Sequence, residues 1–254
     1  MKTLALLLLC LLPLAAQQLD FRAPHPQFPY VDQNKGIGNS CGPAALLNAF
    51  GSGSEKWQAA AAKIPGDNDR ARIASVIKSF GQKPSSNLPQ RARWEIRSGV
   101  NFADLAVMAD EFRSLQWGLP KVRAELYFAS AGADSEKKLR LAHKQLHKSL
   151  AKGLPPILSV RRFVHRQGHW QSVHGHFVVL TALPRQLPRG SQSFPVEFVD
   201  SSGAKTFSGL ISLATQESGL PCLVLHCPSS EIGKKQVRAG EGSALGLAGA
   251  IGAW

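Results

Sequence analysis

The chain changes character near residue 155, and that change constrains the fold more than any composition figure. Before it, apolar residues recur at helical spacing. Cys41 to Phe50 reads as a helix, because Pro43 is tolerated only in a first turn and Ala44-Ala45-Leu46-Leu47 are strong helix formers. Gly51-Ser52-Gly53-Ser54 stops it. Lys56 to Lys63, Asp69 to Phe80, Asn101 to Leu115 and Ser135 to Ala151 read as further helices, with residues 81–98 irregular between them. After the change, Pro155 to Val160, His176 to Leu183, Phe194 to Val199 and Cys222 to Leu225 are short β-branched apolar runs bounded by proline and glycine turns. Helices first and strands afterwards predict an α+β domain, its N-terminal helices packed on a C-terminal antiparallel sheet.

At 254 residues, 44% hydrophobic and 19% charged, the chain carries enough apolar material for a real core. It has no internal repeat and no long linker, so one domain is expected over residues 31–230. A proline- and aromatic-rich extended arm, 17–30, precedes it, and a Gly/Ala-rich tail, 231–254, follows it as a loosely packed segment. Met1-Lys2, the apolar run Leu4 to Leu14 and the small pair Ala15-Ala16 have the layout of a secretory signal peptide over 1–16. The run falls short of the roughly 20 residues that a spanning helix needs, so no membrane span is expected. The expected compartment is secreted or periplasmic.

A net charge of +13 favours anionic surfaces or acidic substrates. The densest basic stretch, Lys137 to Arg166, lacks the interleaved aromatics of a single-strand nucleic-acid surface, so no specific nucleic-acid partner is expected.

Beyond the leader stand Cys41, Cys222 and Cys227, an odd set that leaves at least one free thiol. Cys222 and Cys227 lie in PCLVLHCP, on opposite faces of a continuous strand unless a bend lets them bridge. Cys41 follows a loop with two glycines and heads a helix. A helix N-terminus favours a thiolate, and its N–H groups suit a developing oxyanion. A thiolate also needs a base. His176 opens the strand HFVVL, with His174 on the same face as second choice. Asp200, at the next strand end, is the carboxylate that would orient the imidazole. His165, His169, His174 and His176 also crowd together, but their spacing fits no standard zinc motif, and the intervening glycine and Trp170 suggest a loop. His143 and His147, an i, i+4 pair, read as part of a solvated basic helix face.

The stretches GNSCGPAALLNAF, GLPPILSV, GHFVVLTAL and FVDSSG together resemble a papain-type cysteine peptidase family that includes bacteriocin-leader processing domains. The likeness is greatest to its stand-alone family 39-like members, and it spans roughly residues 31–205. The resemblance implies a papain-like fold and a peptide or protein substrate, with no cofactor and no metal. It also implies Cys41 as nucleophile, His176 as base and Asp200 as orienting carboxylate. The family's oxyanion glutamine corresponds to Gln33, which stands farther ahead of the cysteine than is usual there, with Asn34 and Asn39 as alternatives. The same thiol chemistry would serve an amidase or acyl transferase, and a non-catalytic binder of a peptide or anionic partner is the remaining alternative.

Overall fold

The computed structural model describes residues 18–128, 133–214, 219–234, 237–238 and 241–254. The expected signal peptide lies outside them. In chain order the elements are β1 (Phe21–Arg22), α1 (Cys41–Gly51), α2 (Glu55–Ala62), α3 (Asp69–Val76), β2 (Trp94–Glu95), β3 (Gly99–Val100), α4 (Phe102–Arg113), β4 (Arg123–Leu126) and α5 (Ala133–Ala151). Then follow β5 (Ile157–Arg166), β6 (His169–Leu183), β7 (Ser193–Asp200), β8 (Lys205–Ser212), β9 (Leu223–His226), α6 (Glu231–Lys234) and β10 (Ser243–Gly252).

Local chemistry sets the helix limits. The side chains of Asn68 and Asn101 accept the backbone N–H of Ala71 and Asp104, each at 2.9 Å, and so start α3 and α4. Helix α1 is buried on every side from Gly42 to Gly51, which its small and aliphatic sequence permits. It is the hub of one hydrophobic cluster, in which Leu46, Phe50, Trp57, Ile73 and Phe112 meet the sheet residues Ile157, Phe177, Val179 and Ile251.

The sheet does not stay open. Antiparallel pairing runs from β6 through β5, β10, β9, β8 and β7, and β7 pairs with β6 again, so six strands close into a barrel. β1 and β4 add to it on β6 and β10. A second hydrophobic cluster fills the interior. Leu158 and Val160 of β5, Val178 and Leu180 of β6, and Phe194, Val196 and Phe198 of β7 enter it at every second position. Leu139 and Leu146 of α5 close it from one side.

The closed barrel corrects the expectation of a papain-like fold with N-terminal helices on a C-terminal antiparallel sheet. Two of its strands escape the sequence pattern. Polar residues and a glycine break up β8, and the composition of β10 suggests a loose tail. Strand β10 instead lies between β5 and β9, and Leu247 and Ala250 are buried in the interior. Its glycines suit it to that place. A Cβ on Gly246 would collide with Cys222 Sγ, and one on Gly249 would fall 2.5 Å from the Glu125 carbonyl oxygen. Twist and the length of β6 then close the ring, since β6 can hold β5 along one edge and β7 along the other.

Two smaller expectations also change. The histidine-rich segment is no loop but a hairpin, β5 and β6 meeting at a Gln167–Gly168 turn with both φ angles positive (50° and 79°). His143 is buried rather than solvated: its Nε2 lies 2.9 Å from the Pro184 carbonyl oxygen and its ring meets Phe194 edge-on. His147 stacks on Phe21 at 4.2 Å.

Candidate active site

Cys41 sits half-buried at the first position of α1, packed against the helical cluster. The motif Cys-Gly-Pro has a packing reason at this point. A Cβ on Gly42 would collide with Val100 Cγ1, so only glycine lets the β2–β3 hairpin close on the head of the helix. Pro43 has no N–H to offer, and Ser40, the N-cap, makes no side-chain capping bond. Cys41 and Gly42 therefore supply the first-turn amide donors of α1.

His176 comes from the barrel. Its register partner on β5 is Val160, and it shares a strand face with Val178 and Leu180. Asp200 ends β7 opposite Val178, so the histidine and the aspartate are diagonal neighbours on adjacent strands. Their side chains meet, His176 Nε2 lying 2.7 Å from Asp200 Oδ1. Cys41 lines the same cleft as the ring and acts on its charge state. The fold thus brings together Cys41, His176 and Asp200, three residues from two layers. Burial alone would lower the basicity of His176, but the Asp200 bond and the Cys41 side chain outweigh it and raise its pKa to about 10. His174 stays beside the group, its ring stacked 6.5 Å from that of His176.

Asp200 is fully buried. Its Oδ1 also accepts the Ser202 N–H at 2.9 Å, while Oδ2 has no hydrogen-bond partner among the described residues. The turn after it holds Gln33: the Gln33 N–H donates to the Ser201 carbonyl, and Ser201 Oγ donates to Gln33 Oε1, both at 2.8 Å. The Gln33 carbonyl in turn accepts Ser40 Oγ at 3.4 Å, next to the cysteine. Gln33 therefore links the aspartate turn to the head of α1, although it is not part of the cleft lining. Asn34 Oδ1 accepts Ser202 Oγ at 3.3 Å. The amide of Asn39 donates to the carbonyls of Ile96 and Arg97, at 3.2 and 2.7 Å, and is committed to the β2–β3 turn.

The three residues gather at a cleft of about 350 Å³, lined by Cys41 and His176. One wall comes from the helical layer, with Asn39, Arg97 and Asn101; the other comes from the barrel, with Ser159, Arg161 and His174. Neither Arg97 nor Arg161 carries a local signal of a site residue, since one lies in a segment that reads as irregular and the other beyond the expected end of its strand. Cys222 and Cys227 are buried free thiols, packed in different clusters, and burial raises both their pKa values, that of Cys222 to about 12. Among the described residues no group of three or more His, Cys, Asp or Glu is placed to hold a metal ion, and no helix is long and apolar enough to cross a membrane. No protein-family model matches the chain, and no match to a curated protein was found.

Proposed function

We propose that the protein is a thiol-dependent hydrolase of peptide bonds, a cysteine peptidase acting outside the cytoplasm. The observation that carries the reading is the chain of contacts from Cys41 through His176 to Asp200 at a cleft. The likeness of four short motifs to family 39-like cysteine peptidases supports the same chemistry.

The mechanism follows from the contacts. Cys41 and His176 share one proton that rests on the imidazole, and Asp200 steadies the imidazolium. The thiolate adds to the substrate carbonyl, and the oxyanion meets the N–H groups of Cys41 and Gly42. Gln33 bears on this step through its bonds to Ser201 and Ser40, which hold the head of α1 against the aspartate turn. His176 gives its proton to the leaving amine as the C–N bond breaks and a thioester remains. A water molecule, deprotonated by His176, attacks the thioester. The carboxylic acid leaves, and the Cys41 thiolate is paired with protonated His176 for the next cycle.

The test is turnover of a peptide library by the wild type and by Cys41→Ala. The wild type is expected to cleave a subset of peptides, and the variant to lose at least about 10³-fold in rate while keeping its circular dichroism. Cleavage that survives the substitution would remove the thiol from the reaction and end the proposal.

A further inference from the structure

The cleft is strongly one-sided in charge. Arg97, from the turn between β2 and β3, and Arg161, on β5 opposite Gly175, both line it, and among the described residues no carboxylate does. Neither guanidinium has an ion pair or side-chain hydrogen bond among the described residues. Other arginines of the same region are engaged. Arg91 reaches Ser98 and Glu95, Arg93 pairs with Glu111 at 3.0 Å, Arg162 donates to the carbonyls of Ile232 and Gly233, and Arg166 holds Glu241 with two bonds. Among these arginines of the cleft region, the two with no such partner among the described residues are the two that line the cleft, one from each wall, with Cys41 and His176 between the layers that carry them.

A pair of guanidinium groups beside a reacting centre favours a substrate that brings the missing negative charge, because a carboxylate there gains charge-assisted hydrogen bonds that a neutral side chain cannot make. We infer that the cleft selects peptides carrying acidic side chains next to the scissile bond, held by Arg97 and Arg161. The inference rests on the thiol-peptidase reading and names the substrate class of that site.

Iodoacetate and iodoacetamide test the charge directly, since they alkylate the same sulfur and differ by one negative charge. Their rate ratio at Cys41, divided by the ratio for free cysteine, cancels the thiolate fraction. The expected value is about tenfold or more in favour of iodoacetate. It falls to about twofold in the Arg97→Gln/Arg161→Gln double variant and largely survives in Arg97→Lys/Arg161→Lys, which keeps the charge. Lys144→Gln/Lys148→Gln, on exposed positions of α5, controls for net charge and keeps the wild-type ratio. A wild-type ratio equal to that of free cysteine, or an equal fall in the α5 variant, overturns the inference. A second arm uses terminally blocked peptides with Asp, Asn or Lys beside the cleaved bond. The Asp peptides are expected to turn over at least about tenfold faster than the Asn peptides, and equal rates overturn the inference while leaving the peptidase intact. Failure of the peptidase reading looks different: no peptide of any charge shows cleavage that depends on Cys41.

Discussion

At the residue scale, Asp200 decides how His176 behaves. A buried imidazole with no partner would be neutral at physiological pH, because burial disfavours its charged form. The Asp200 bond, together with Cys41, reverses this and raises the ring to about 10 from its ordinary 6.5. In the proposed mechanism His176 must carry a proton to release the leaving amine, so activity should hold on the alkaline side until the pH passes about 10 and fall above it. Asp200→Asn removes the carboxylate charge from the ring. Its kcat/KM is expected to drop on the order of 10²–10⁴-fold, with the alkaline limb of the pH profile moving down from about 10 toward 6.5. A limb that stays in place would mean that Asp200 does not set the state of the histidine. The identities of these residues are legible in the sequence, because a cysteine at a helix start is a local pattern and His176 heads the apolar half of β6, although the strand itself begins at His169. Arg97 and Arg161 are not, since their place depends on how two distant segments face each other.

At the element scale, the helices are readable and the sheet only in part. Helical periodicity and the Asn68 and Asn101 caps lie within a few residues of the chain, so α3 and α4 announce themselves. Strand β10 does not. Its SALGLAGAIG sequence is poor in β-branched residues, and it becomes a strand where its neighbours leave little room for side chains. Gly246 puts that packing to the test, because even a Cβ there would collide with Cys222 Sγ and come within 2.8 Å of Phe163 Cε2. Gly246→Val should lower stability by about 1–3 kcal/mol, read as a lower midpoint in urea unfolding. An unchanged midpoint would fit a loosely packed tail and contradict a packed barrel strand.

At the scale of the whole molecule, the cleft exists because two layers meet. The helical cluster holds Cys41, and the closed barrel holds His176 and Asp200. Contacts of Gln33 with Ser201 and of Asp32 with the Gly203 N–H, each at 2.8 Å, tie the loop before α1 to the turn after β7. Neither the closure of the barrel nor this tie can be read from the chain, because both depend on pairings between residues far apart in sequence. The architecture sets a thiol of one layer and an imidazole of the other at one cleft, and the proposed mechanism needs a proton shared between them. The most direct measurement is a titration of ¹⁵N-labelled histidine in the intact protein, followed at His176. Both ring nitrogens are expected to stay protonated until the pH nears 10, and Cys41→Ala to bring the transition down. A His176 that titrates near 6.5 and ignores the loss of the Cys41 sulfur would contradict the shared proton.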